Sequence, residues 1–331
     1  MLGRVHPDLL PDIFTRRQAV EAGVSDVRLR TWVRRGLVRR LRHGTYERAE
    51  PVAPEARSAR HVSEARVALD RFTTGYAASH LTAAAAYGLP LPMGPAGPVH
   101  LTTIHSTQRS RTPHGAVLHH CDSVEPELDL ADGLVVTSTA WTVADCLRSF
   151  GPRVSVPIAD AALHRGLTAP QDVRAVLESQ RRWRGKPRAR ASLMLVDGRR
   201  ESWLESWGSV RFHEWGVNLP EPQVVIEDLG GLFLGRVDGG WKDDATVLEL
   251  DGRAKYQDDD GEGIGSTFWR EKSRHNDLTN VGLTVVRFEL RDLLERPRSV
   301  QHAVWSARRA GDASRFTGLW RSTPSTGLTF L

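Results

Sequence analysis

Two rhythms of apolar and polar positions run along the chain, and they divide it into three segments. In the first, residues 8–50, the pattern is helical and sharply punctuated. Thr15 followed by Gln18 reads as a capping box that opens a short helix ending at Gly23. Ser25 caps a second helix with Leu29, Trp32 and Val33 on its inner face, and Gly36 stops it. The run LVRRLRHGTYER then alternates and turns at His43-Gly44, which predicts a small β-hairpin. Helix, tight turn, helix and hairpin is the order of a winged helix-turn-helix.

The second segment, residues 60–195, reads as an α/β middle domain ending in a basic linker. YAASHLTAAAAYGLPLP predicts a helix with Ser79 as cap, ending before Pro90. VHLTTI and AVLHHC alternate as strands, GLVVTSTAWTVADCLRSF reads as strand, turn and helix, and PIADAALHRGLTAPQDVRAVLES gives two more helices. QRRWRGKPRARASL, 180–193, reads as a basic linker or a phosphate-contacting strip. In the third segment, residues 196–331, a helix carries Trp203, Leu204, Trp207 and Val210 inward. Three strands, a helix and an apolar strand follow, giving the order αβββαβ and then a short closing helix. The fold class is therefore α+β and multidomain.

Composition narrows this picture. The 331 residues are 40% hydrophobic and 26% charged, as in ordinary globular domains. Two cysteines, Cys121 and Cys146, make no disulfide framework and suit a reducing cytoplasm. No run reaches the length of a membrane span. The net charge of +5 points to an anionic partner. Arginine supplies nearly all of it, a bias that a GC-rich genome also produces. The four lysines are Lys186, Lys242, Lys255 and Lys272, and three of them fall between 242 and 272. Within the first segment, the outer face of the second helix carries Arg28, Thr31, Arg34 and Arg35, and the hairpin carries Arg39, Arg40 and Arg42. These residues suit a helix in the major groove with a wing on phosphate or in the minor groove. A solvated basic face on a small helical domain is the alternative. His80, His100, His105, His114, His119, His120 and His164 are scattered, lack the spacing of a zinc motif such as H-E-x-x-H, and read as surface or satisfied histidines.

The third segment holds the densest chemistry. A turn centred on Asp243-Asp244 makes cross-strand partners sum to 487 and sets Asp238 opposite Glu249, with Asp251 on the same face two residues on. Like charges so placed need a cation or a proton between them. Hard oxygen ligands in this number suit Mg²⁺ or Mn²⁺, which could orient a water for phosphodiester hydrolysis. Glu205 on the preceding helix could complete the set, with Glu201 a turn earlier, and Lys255, Lys272 or Lys242 could stabilise developing charge. The alternative is a solvated acidic edge hairpin, against which TVLEL is apolar on both sides of the glutamate.

Leu204-Glu205-Ser206, Arg236-Val237-Asp238, Leu248 to Gly252, Arg274 to Asp277 and Gly282 to Phe288 occur in that order over residues 200–297. In this the third segment resembles the PD-(D/E)XK nucleases, and more narrowly the very-short-patch-repair-like endonucleases. The resemblance implies a restriction-endonuclease-like fold and Mg²⁺-dependent cleavage of DNA in phage defence or DNA repair, with Asp238, Glu249 and Asp251 as metal ligands and Glu205 and Lys255 assisting. The family's E-x-K is E-x-D here, so Asp251 stands where the catalytic lysine belongs. ASHLTAAAAYGLP and VVTSTAWTVADCLRSFG, behind the winged-helix pattern, resemble the AbiEi-like type IV antitoxins. That resemblance implies DNA as partner, and leaves open a toxin partner or a homodimer. Two functions follow: a DNA-binding metal-dependent endonuclease, or an antitoxin-type transcriptional repressor with a catalytically inactive nuclease-fold domain.

Overall fold

The computed structural model describes residues 10–11, 13–34, 37–48, 57–70, 75–92, 97–105, 116–121, 124–180, 183–251 and 264–322. Of residues 57 and 264–271 only the backbone is described. The chain divides into two compact units, 1–149 with 171–186, and 150–170 with 187–331. The N-terminal pattern and most of the middle region thus fall within one unit.

The first unit opens with strand β1 (Ile13–Thr15), helix α1 (Arg16–Glu21), helix α2 (Asp26–Arg34) and strands β2 (Val38–Arg42) and β3 (Thr45–Arg48). The capping box is present: Thr15 Oγ1 accepts from Gln18 N, and Gln18 reaches back to the Thr15 N–H. Gly23, at φ 83°, turns the chain between the helices in a conformation that costs other residues more. Ser25 Oγ accepts from Arg28 N at the start of α2. Gly36, the expected helix stop, lies outside the described residues. Leu10, Phe14, Ala19, Val24, Leu29, Trp32 and Val38 close a small core. β1, which the pattern did not predict, pairs antiparallel with β3 and completes a sheet of order β1-β3-β2. Three residues with one partner strand are too short for a periodicity signal.

Helix α3 (Arg57–Leu69) leads to strand β4 (Tyr76–Ala78), helix α4 (His80–Ala86), strands β5 (Val99–Thr103), β6 (Ala116–His119), β7 (Leu128–Ala131) and β8 (Leu134–Thr137), and helix α5 (Thr139–Ser149). The sheet order is β6-β5-β4-β8-β7. The helix begins at His80, directly after the Ser79 cap position that the pattern gives. Tyr76–Ala78 forms the central strand, pairing antiparallel with β5 and parallel with β8, and that pairing overrides the helical propensity of its alanines. Ser79 holds the N-cap position without a side-chain cap bond. Helices α6 (Pro152–His164), α7 (Pro170–Ser179) and α8 (Lys186–Leu193) follow. The stretch read as a basic linker, 180–193, therefore contains a helix.

The second unit builds on helix α9 (Trp203–Glu214), strands β9 (Glu221–Asp228), β10 (Phe233–Trp241) and β11 (Thr246–Asp251), helix α10 (Ile264–Asn280) and strand β12 (Thr284–Glu289). This is the expected αβββαβ order. Helices α11 (Leu290–Glu295) and α12 (Pro297–Ala310) and strand β13 (Gly318–Ser322) close the chain. The sheet order is β12-β11-β10-β9-β13, parallel only between β11 and β12. Leu204, Trp207, Phe212, Leu248, Leu250 and Val300 share one core, and Val224, Ile226, Val237, Val247 and Leu278 share another.

Candidate functional site: a basic helix-and-hairpin surface and a carboxylate cluster

Helix α2 exposes one stripe. Val27, Arg30, Thr31 and Arg34 recur at i, i+3, i+4 and i+7, while Leu29 and Trp32 are buried behind them. Arg30 and Val27, 63% exposed, belong to this stripe and were not among the sequence candidates. A helical wheel centred on the buried pair finds both. Thr31 Oγ1 donates to Val27 O at 2.8 Å, and Arg34 Nη2 donates to Thr31 Oγ1 at 3.4 Å, which holds Arg34 along the stripe. Arg28 lies half-buried on its flank, and Arg35 lies outside the described residues.

The hairpin arginines separate into different environments. Arg40 is exposed on β2, with Nη2 2.9 Å from His43 Nδ1. Arg39 instead pairs across the ladder with Glu47, donating from Nε at 2.9 Å and Nη2 at 2.6 Å. Arg60 of α3 reaches the other oxygen of Glu47 at 3.0 Å. Glu47 is buried, so the two guanidinium groups compensate a charge that would otherwise be costly there. Arg42 is half-buried and reaches Glu64 O at 3.5 Å. Arg39 and Arg42 thus act within the protein, which leaves Arg40 as the hairpin candidate for phosphate.

In the second unit the turn after β10 is a 3-10 turn, Lys242–Asp244, with Ala245 at φ 46°, and not a two-residue turn. The register still sums to 487: Gly239 pairs with Leu248, Gly240 with Val247 and Trp241 with Thr246. The ladder stops there, one pair short of Asp238 and Glu249. Asp238 Oδ2 accepts the Leu250 N–H at 2.7 Å, so its side chain stands where a strand partner would. Burial, and after it the charges of Glu205, Glu249 and Asp251, raise the Asp238 carboxyl to about 6, against the Leu250 N–H that lowers it.

Each neighbouring carboxylate already holds strong partners. Glu249, 4% exposed, takes Arg287 on Oε2 and has Arg274 Nη2 2.7 Å from Oε1. Asp251 is 3.5 Å from Arg287 Nε. Glu205, also buried, accepts from Gln223 Nε2 at 2.7 Å and from the Glu201 N–H at 3.1 Å. Its own N–H donates to Ser202 Oγ, so it also belongs to the N-terminal capping of α9. Gln223 holds φ 55° within β9, a strained position beside this cluster. Glu201 pairs with Arg236 through both oxygens, at 2.7 and 2.9 Å. Lys242 lies in the turn, four residues beyond Asp238, or about 13 Å along an extended strand. Lys272 is an exposed residue of α10, and Lys255 lies outside the described residues.

This arrangement does not fit Mg²⁺ or Mn²⁺. Such an ion needs oxygens converging at about 2.0–2.1 Å. Among the described residues, the carboxylates of Asp238, Glu249 and Asp251 do not converge within 4.8 Å of one another; His80, His100 and His119 are the group that does. The oxygens of Glu249 are turned to two arginines.

Residues 9–49 match a family model described as a transcriptional regulator, AbiEi antitoxin. Two curated relatives, each named "Uncharacterized protein", are Rv2248 and MT2308 from the H37Rv and CDC 1551 strains of Mycobacterium tuberculosis. Each is 30% identical over 231 residues, which is 70% of this chain and 80% of theirs. The chain belongs to their family. The crystal structure of the RV2827C protein from the same organism covers 55% of this chain and 75% of its own, at 17% identity and a TM-score of 0.34, and carries no argument about this fold. No described helix is long and apolar enough to cross a membrane.

Proposed function

We propose that the protein is a DNA-binding transcriptional regulator of antitoxin type, in which α1, α2 and the β2–β3 hairpin act as a winged helix-turn-helix. The observation that carries this reading is the stripe Val27, Arg30, Thr31 and Arg34 on α2, exposed at all but Thr31, followed directly by a hairpin whose first strand exposes Arg40. A helix with such a stripe fits the major groove. Arginine can bond guanine bidentately, and an apolar methyl can meet thymine. Arg40, exposed on the hairpin, would reach phosphate. The match of residues 9–49 to an antitoxin regulator supports the same reading. It implies a toxin protein or a second copy of the chain as a further partner.

The third segment keeps the element order of a restriction-endonuclease-like domain, with its acidic residues engaged by arginine, amide and backbone N–H groups. We read it as a domain of that fold without metal-dependent cleavage.

The test is titration of the full chain against DNA from upstream of its own coding region. Binding is expected to weaken steeply with salt. Arg34→Ala with Arg40→Ala is expected to lower affinity tenfold or more, with Arg34→Ala also relaxing sequence preference. Unchanged binding in the double variant would remove the DNA-reading role of this segment. In the same samples, added Mg²⁺ or Mn²⁺ is expected to leave the DNA intact. Cleavage that Asp238→Ala abolishes would reinstate the endonuclease reading.

A further inference from the structure

Three of the scattered histidines meet inside the first unit. His100 lies on β5 and His119 on β6, the parallel strand beside it, where His119 pairs with Thr102. His80 opens α4, just after the central strand β4. His100 Nδ1 and His119 Nε2 are 2.9 Å apart, and one ring nitrogen of each of the three lies within 4.8 Å of the others. The ring centroids of His100 stand 5.2 Å from His119 and 5.3 Å from His80, while His80 and His119 stack at 3.7 Å. His80 and His100 are buried and His119 is half-buried.

The surroundings hold this group in place. His80 sits at φ 52°, a left-handed backbone that a non-glycine residue adopts at a cost. Its two ring nitrogens are 3.0 Å from Ser79 Oγ and 3.1 Å from Ser149 Oγ. Asp145 Oδ2 lies 3.7 Å from His80 Nδ1, and Arg148 neutralises the other oxygen of Asp145. The backbone of Ser79 donates to His100 O at 3.0 Å. Thr82 Oγ1 accepts from the His100 N–H at 2.8 Å and lies 2.9 Å from His61 Nε2. Ser79, Asp145 and Ser149 thus surround the His80 ring, while Ser79 and Thr82 fix the backbone of His100 beside it.

We propose that His80, His100 and His119 form a binding site for a zinc-class divalent transition-metal ion. Imidazole is a preferred donor for such ions, and three histidines leave a fourth position for water. In a tetrahedral site with Zn–N of about 2.0–2.1 Å, two donor nitrogens stand about 3.4 Å apart. The His100–His119 pair opens by half an ångström or so to reach that separation. His80 slides off the face of His119 to bring its donor to the same point. Coordination needs a lone pair on each facing nitrogen, so the hydrogen between His100 and His119 moves to the other nitrogen of its own ring, with no net proton released. Neutral imidazole is the ligating form.

The full-length protein, stripped with a chelator and titrated with Zn²⁺ against a chromophoric competitor, should take up one ion per chain. Co²⁺ should give the visible bands of a tetrahedral nitrogen site. His119→Ala, at the half-buried position, should weaken Zn²⁺ binding tenfold or more with its far-UV spectrum unchanged, while Asp238→Ala should bind as the wild type does. The proposal is overturned if the wild type takes up no Zn²⁺, if Co²⁺ gives only the octahedral spectrum, or if His119→Ala binds with wild-type affinity. The wild-type titration and the cobalt spectrum decide the matter even where a variant fails to fold.

Discussion

The two buried polar clusters of this protein differ in how their side chains are engaged, and the difference runs against their density along the chain. Asp238, Glu249 and Asp251 crowd one stretch of 14 residues, yet Glu249 faces two arginines and Asp238 caps a strand, while Glu205 from the preceding helix accepts from an amide and one backbone N–H. The histidines are spread over 40 residues of sequence with no motif spacing, yet three of them bring nitrogens together. A ligand set is defined by donors that share a point and lack a better partner. Density along the chain is a weak guide to that. Carboxylates in an arginine-rich chain readily find guanidinium groups, whereas His100 and His119 turn ring nitrogens toward each other and His80 stacks on His119 beside them.

The sharpest way to break the contrast is Glu249→Ala. If Glu249 is the anion that two guanidinium groups require, its removal leaves Arg287 and Arg274 against a buried strand. The expected cost is about 2–3 kcal/mol, less than for a fully buried pair because both arginines are about a third exposed. Chemical denaturation at neutral pH measures it. A stabilised variant would mean that the carboxylates repel one another and await a cation, as the endonuclease reading holds.

Asp238→Asn gives a smaller effect with a diagnostic sign. The folded-state carboxyl titrates near 6 and the unfolded one near 3.8, so between those values the folded state binds more protons. Wild-type stability should therefore fall, relative to the variant, as pH rises from about 4 to about 6. The change is on the order of 2 kcal/mol after allowance for partial exposure. Denaturation curves of both proteins at pH 4.5 and 7 check it, and a difference that does not vary with pH would mean that Asp238 is not crowded by its neighbours. Asp251→Ala should change stability least, within about 0.5 kcal/mol, because its side chain is 42% exposed and 3.5 Å from Arg287. A large loss there would show that the acidic cluster acts as one unit.

What the sequence made legible follows from how local each signal is. The Thr15 cap, the Gly23 turn and the hairpin at His43-Gly44 rest on residues three or four apart, and they appear where the pattern places them. The sum-of-487 register also held, because the connection Lys242–Ala245 has the same centre as a two-residue turn at Asp243-Asp244. Side-chain commitments were not legible. Nothing local says that Arg39 spends its charge on Glu47, or that Arg274, 25 residues beyond Glu249, reaches across to it. Tyr76–Ala78, just ahead of the Ser79 cap, carries no strand pattern of its own, and only its two neighbours in the sheet make it a strand. The histidine group needed the order β6-β5-β4 before any spacing could mean something.

Helix α3 carries Arg60 and His61 side by side. The first grips Glu47 on the hairpin, and the second meets Thr82, whose hydroxyl also holds the backbone of His100. A helix is stiff, so these successive residues tie the hairpin and the strand of His100 to one rigid element. One helix thus tethers both Glu47, the ladder partner of Arg39, and the hydroxyl that holds the His100 backbone.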